Sequence, residues 1–260
     1  MENEFLNNFK ETIGKIFSNQ VEIIQIYPNY FLAPNHGLAL CLIPYFGLNQ
    51  WPSLKVKQEV EKYIYIYEDQ WNSKPEIILS RLRNAFGFSQ KIAARSCVVQ
   101  KIDKKTAAHF FAENHLLGTC SAAYSYGLFY KNKLVLAASF SKSRVMVDGA
   151  VYYRSYEFIR FASEKNTLVV GGFQKILQHF IKEKNVVHLM TYIDLNFGDG
   201  KSFEKFGFKK IGSAQLQKFY INPASHERLS LNSFEALENK GFEPIVIEEY
   251  STQKMILDLR

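Results

Sequence analysis

His115, Arg160 and Asp194 are the residues of this 260-residue chain whose types could together do acid–base work. Histidine titrates near neutrality, and an Asp or Arg beside it can orient it or stabilise developing charge. As a set they are expected at strand ends that face one helix N-terminus, opened by Val170-Gly171-Gly172. The free N–H groups at a helix start hold anions, and glycine lets a phosphate come close. His115, Arg160 and Asp194 are therefore candidate catalytic residues, and Val170, Gly171 and Gly172 candidate cofactor-binding ones. Each also has a plain structural account. A Gly pair can simply set backbone geometry. Arg160 sits in an apolar strand, sharing a face with Phe158, and if buried it needs a partner, for which Asp194 is a candidate. His115 could cap a helix or bond locally, and Asp194 ends a strand, where Asp often begins a turn.

The elements that must position these residues follow from periodicity. The clearest amphipathic pattern runs over 169–184, with Val170, Phe173, Ile176, Leu177, Phe180 and Ile181. Before it the pattern predicts a helix at 106–113 and strands at 126–130, 134–140 and 153–161. After it come a strand at 186–192, a short helix at 201–206, and strands at 208–211 and 218–221. In the first third, 4–18 reads as a helix, Val21–Tyr27 and Gly37–Ile43 as two buried strands, 55–62 as a polar helix, 63–67 as a strand and 76–86 as a helix ended by Gly87. One strand, 96–102, lies in the connector, and the tail from Gly241 reads as a hairpin, 244–249 with 254–259. The expected fold class is α/β (α+β) with a mixed sheet. It divides into a small α/β unit at 1–88, a connector at 89–104, a main domain at 105–222, and a C-terminal helix and hairpin at 223–260.

An antiparallel meander, a Gly-Gly helix, a strand and then Ser202-Phe203-Glu204-Lys205-Phe206-Gly207-Phe208 resembles the acetyltransferase (GNAT) superfamily. In that superfamily a Gly-rich loop and helix hold the pyrophosphate of acetyl-CoA. The corresponding stretch here, Asn166 to Gly172, has no basic residue where the family carries Arg or Gln. Within the superfamily the order Asn114-His115, Gly127-Leu128-Phe129, Ile159-Arg160-Phe161, Val170-Gly171-Gly172, Tyr192-Ile193-Asp194 is similar to the Mom-like branch of phages and mobile elements, whose members modify adenine in DNA. That resemblance implies DNA as a partner and places His115, Arg160 and Asp194 at catalytic positions, although Leu116 stands where the branch has Tyr.

The first unit resembles the Vsr-like branch of PD-(D/E)XK endonucleases as fused to GNAT-like domains in homing-type endonucleases. Tyr65-Ile66-Tyr67-Glu68-Asp69-Gln70-Trp71, Ser80-Arg81-Leu82 and Ala94-Arg95-Ser96-Cys97 carry it. Such nucleases hold Mg²⁺ with clustered carboxylates. Here Gln25 and Cys41 stand near the expected acids, so the resemblance implies a degenerate unit in which only Glu68 and Asp69 remain.

Net charge is +7, which tilts towards polyanions without any run of five like charges. Cys41, Cys97 and Cys120 are too few and too separated for a disulfide framework or a zinc site, which points to a cytoplasmic setting. No stretch of about 18 apolar residues occurs, so no membrane span is expected. Three functions stay open: a DNA-associated protein whose GNAT-like domain modifies or binds nucleic acid, an acyl-CoA-dependent N-acetyltransferase for a small amine or protein, and a non-catalytic interaction module.

Overall fold

The computed structural model describes residues 4–45, 60–229, 234–235 and 242–260. The chain divides into two compact units, 1–78 with 194–199 and 215–251, and 79–193 with 200–214 and 252–260. This departs from the expected boundaries: the 89–104 stretch supplies strands to the second unit, and 194–199 belong to the first.

The first unit begins with α1 (Glu4–Phe17), which buries Phe5, Phe9, Ile13 and Phe17 along one stripe at four-residue spacing. Four strands follow, β1 (Ile24–Tyr27), β2 (Tyr30–Ala33), β3 (Leu38–Ile43) and β4 (Lys62–Tyr67), in that order across one sheet. β1/β2 and β2/β3 are antiparallel, whereas β3/β4 is parallel. β3 is buried throughout, as expected, but β1 is exposed along its length because it is the edge strand. The buried partner of β3 is β2, inside the stretch read as turns. The polar helix expected at 55–62 lies largely outside the described residues, and Lys62 begins β4. α2 (Glu68–Ser73) and α3 (Pro75–Ala85) complete this part of the chain.

The second unit starts with β5 (Gln90–Ala93), β6 (Val98–Lys101) and α4 (Lys104–Asn114). α4 begins two residues before its periodic pattern because the Asp103 carboxylate accepts the Thr106 N–H at 2.7 Å, a side-chain N-cap. The meander is β7 (Tyr124–Tyr130), β8 (Lys133–Phe140), β9 (Arg144–Asp148) and β10 (Val151–Ser163). β11 (Thr167–Val170), α5 (Gly172–Lys184), β12 (His188–Asp194), α6 (Lys201–Phe206) and β13 (Lys209–Lys210) follow. The helix expected from 169 therefore starts at Gly172. Residues 167–170 pair as a strand with β5 in parallel, from Thr167↔Gln90 to Val170↔Ala93, and Gly171 in the left-handed region stops them.

β14 (Gln215–Ile221) and β15 (Arg228–Leu229) are an antiparallel pair in the first unit. The expected C-terminal hairpin is instead one strand, β16 (Ile245–Asp258). Gln253, read as part of a polar turn, fits a strand because its buried amide donates to the Ile211, Gly212 and Lys254 carbonyls. The C-terminal helix expected in 223–260 falls mainly outside the described residues.

In the second unit the main sheet runs β6-β7-β8-β10-β12, with α4 on one face and α5 on the other. α4 packs Ala107, Phe110 and Phe111 on Ala137 and Ala162. α5 packs through rings: Phe180 stacks on Phe140 at 3.8 Å between centroids, and Phe140 stacks on Phe158 at 5.0 Å. The architecture is thus α/β with mixed sheets and a Gly-Gly helix against the main one.

Candidate functional site

β10 and β12 are parallel neighbours, registered from Ser155↔His188 to Phe158↔Thr191. Pairing stops there, although β10 continues to Ser163 and β12 to Asp194. The cause lies on the other edge of β10, where register with β8 shifts between Phe158 and Arg160. An extra residue bends and twists a strand, so β10 leaves β12 beyond Phe158 and Thr191, where the Thr191 hydroxyl donates to the Phe158 carbonyl at 2.9 Å. The first turn of α5 lies at this point: the Phe173 ring contacts Phe158 at 6.0 Å and Phe161 at 5.8 Å.

Both glycines have packing reasons. Gly171 is the N-cap of α5 at φ +78°, with Ala94 Cβ near it, and Gly172 lies where a Cβ would meet Leu136. No side chain caps this end and no acid stands in its first turn, so the orphan N–H groups carry a positive end dipole. Val170, just before it, is exposed. Lys175 does not face an outside anion, because its ammonium donates to the Ala94 and Cys97 carbonyls at 2.9 and 2.5 Å. Those bonds fix the Ala94–Ser96 turn against the helix start, and Arg95 on that turn is exposed. Arg95 is a cation that sequence reading tied to the connector and not to this helix.

The three polar candidates fare differently. His115 is the C-cap of α4, where its Nδ1 accepts the Leu117 N–H at 3.1 Å and its ring meets Phe111 edge-on. Asp194 closes β12, and its Oδ1 accepts the Asn196 N–H at 2.9 Å, the turn role open to it from the sequence. Arg160 does not share a face with Phe158. The register shift sets Phe158 opposite Phe140 but Arg160 opposite Ser139, which puts Arg160 on the α4 side with Ala137 and Ala162.

Arg160 there is half-buried. Its Nη1 donates to the Ile159 carbonyl at 3.2 Å, while its Nε is closed to solvent and meets no acceptor among the described residues. Burial acts most on it, lowering its hold on its proton, against the favourable fields of Cys120 and Glu157. The Cys120 thiol is pushed up by burial and drawn back by Arg160 and by a hydrogen bond with Ser139. Ser139 in turn shares a 2.8 Å hydrogen bond with Ser125. Sequence reading weighed Cys120 only for disulfides and zinc. The run Thr119-Cys120-Ser121 shortly after His115 was the available signal.

In the first unit the residual acids are structural. Asp69 is bound by Arg228 through two contacts, 2.7 and 2.9 Å, and that guanidinium lies over the Tyr67 and Phe219 rings. Glu68 accepts the Tyr45 N–H at 2.8 Å, and burial pushes its carboxyl up. Cys41 is buried in β3 with its thiol pushed up to about 12 by burial, and Gln25 is exposed on β1.

No family model matches the sequence, and no curated protein does. Among solved structures the chain is similar to the ribosomal-protein-S18-alanine N-acetyltransferase from Escherichia coli: 13% identity, 63% of this chain and 94% of that one, TM-score 0.39. It is similar to a Bacillus subtilis acetyltransferase in complex with CoA at 14% identity, 63% and 99% coverage and TM-score 0.39. A GNAT family acetyltransferase from Elizabethkingia anophelis with acetyl-CoA bound gives 14% identity, 63% and 99% coverage and TM-score 0.35. Likeness at this level carries no residue's role, substrate or cofactor to this chain.

Proposed function

We propose that the second unit is an acyl-transfer domain of the GNAT kind, taking an acyl-CoA donor at the parting of β10 and β12. The observation that carries this reading is that registered pairing ends at Phe158/Thr191 with the first turn of α5 seated beside the break. The donor's pyrophosphate would meet the N–H groups that follow Val170, at Gly171 and Gly172, with Arg95 as the nearby cation in place of a basic loop residue. Backbone N–H groups freed at the bulge would polarise the thioester carbonyl, the task of an oxyanion hole. Acyl-CoA supplies an activated thioester: an acceptor amine bonds to its carbonyl carbon, and the CoA thiolate leaves with the proton the amine gives up. In this reading Asp194 orients the end of β12, and His115, held through Nδ1, is the candidate for proton transfer.

Acetyl-CoA titration followed by thermal unfolding tests the reading. A ligand binding only the native state at ten times its Kd stabilises by about 1.4 kcal/mol. A melting temperature unmoved by millimolar acetyl-CoA sinks it. The DNA-associated reading implied by the Mom-like resemblance has the +7 net charge in its favour. It requires a gel shift of labelled duplex at low salt that weakens steeply as salt rises.

A further inference from the structure

We infer that the α4 side of the second unit holds an oxyanion-binding site for a small acceptor bearing a carboxylate or phosphate, read by Arg160. A guanidinium has five donors, and leaving a buried one unmatched is costly. Arg160 has one bond to its own strand, at Ile159, and a solvent-free Nε with no acceptor among the described residues. The Glu157 carboxylate acts on it through its field but gives Nε no hydrogen bond, and a buried donor left so can be matched by an acceptor that arrives with a ligand.

A basic cleft adjoins its neighbours along the chain. A cleft of about 490 Å³ is lined by Lys104, Lys142 and Arg144 and by Ser121, Ser141 and Ser143, with no carboxylate among its described lining residues. Two of the cleft's residues adjoin the Arg160 cluster along the chain. Ser121 follows Cys120, whose thiol feels Arg160 and bonds Ser139. Ser141, two residues beyond Ser139, donates its N–H to the Glu157 carbonyl and accepts the Glu157 N–H on its hydroxyl, both at 2.9 Å. Three cations line the cleft and outnumber the one carboxylate, Glu157, whose field reaches Arg160, which favours an anion, with the serine hydroxyls as further donors. The inference rests on the acyl-transfer reading only in naming the anion's bearer an acceptor. Binding itself needs neither donor nor turnover.

Cys120 provides a reporter beside Arg160, and buried Cys41 and Cys97 report whether the fold is intact. Alkylation of Cys120 by iodoacetamide, followed by peptide mass spectrometry, is measured with sodium succinate, sodium phosphate or sodium chloride at matched ionic strength. Succinate or phosphate at ten times its Kd should slow Cys120 about ten-fold while chloride does not, as mass action requires. Protection by succinate alone assigns a carboxylate, and by phosphate alone a phosphate. In Arg160→Gln the protection should vanish with Cys41 and Cys97 still unreactive. If that variant exposes them, the exposed pair Lys142→Gln/Arg144→Gln takes its place and should weaken protection several-fold. Equal rates in all three salts overturn the site, as does protection that survives either intact-fold variant. Failure of acetyl-CoA binding alongside intact anion protection would sink only the donor reading.

Discussion

Replacing Gly172 by Ala tests how closely α5 is seated on the sheet. The added Cβ would stand 2.7 Å from Leu136 Cδ1 and 3.0 Å from Val169 Cβ and Cγ1, where ordinary contact starts at 3.4 Å. Leu136 is completely buried, so it cannot swing into solvent, and α5 cannot lift without breaking the Phe140–Phe180 stack. Overpacking of this kind costs about 1–3 kcal/mol, while Ala in place of Gly within a helix returns about 0.5–1 kcal/mol. The net loss spans about 0–2.5 kcal/mol; its middle, about 1 kcal/mol, is a fall in melting temperature of roughly 2–4 °C for a chain of this size. Gly171→Ala provides the contrast. Its Cβ would be 3.6 Å from Ala94 Cβ, an ordinary contact, so only the φ of +78° resists it. That costs about 1–2 kcal/mol, and Gly171→Asn should recover most of it because Asn tolerates the left-handed region. Urea unfolding followed by circular dichroism measures each loss as a shift in midpoint at constant slope. A Gly172→Ala protein more stable than its parent, or a Gly171→Asn protein as damaged as Gly171→Ala, would refute this account of the helix start.

Asp69→Asn should destabilise by up to about 3–5 kcal/mol, because it takes the carboxylate charge from the Arg228 guanidinium, and urea melts would show whether the pair is structural. Arg95→Ala should leave stability within about 0.5 kcal/mol, as for an exposed residue. It should also reduce the acetyl-CoA-induced rise in melting temperature, and an unchanged rise removes Arg95 from the donor site. His188 is buried, and burial lowers its hold on a proton below the ordinary 6.5, with Arg260 and Lys254 adding to this and Asp258 opposing it. Its folded value lies below its unfolded one, so its contribution is complete above 6.5 and is lost as pH falls through the lowered value. Replacement by Gln should flatten the stability profile on the acid side of 6.5. A profile with the same slope there assigns the acid sensitivity to other groups.

Most elements from α4 to α6 were readable because their apolar periods are long, whereas β9 and β11 were not read. Phe173, Ile176, Leu177 and Phe180 repeat at helical spacing, and α6 has the residues 201–206 that its pattern predicts. Illegible features came from pairing partners that no local pattern contains. Ile24 and Ile26 look like core residues, but β1 is an edge strand and both are exposed. Thr167–Val170 suits the start of a helix by apolar period, yet β5 lies alongside and claims it as a strand. Polar Gln253 argued for a turn, but three carbonyls from nearby backbone satisfy its amide inside a strand.

The bulge between Phe158 and Arg160 is the most consequential of these. Strict alternation along Phe158-Ile159-Arg160 puts the arginine beside Phe158, under α5 and near the glycine helix, where it would serve a donor phosphate. One extra residue reverses this: Phe158 and Phe161 both touch Phe173 of α5, while Arg160 faces Ser139 on the α4 side. The same residue ends the pairing of β10 with β12. A single irregularity therefore accompanies the end of that pairing and turns the Arg160 guanidinium to the α4 side. In the proposed reading, donor and anion-bearing acceptor would approach β10 from opposite faces of the sheet.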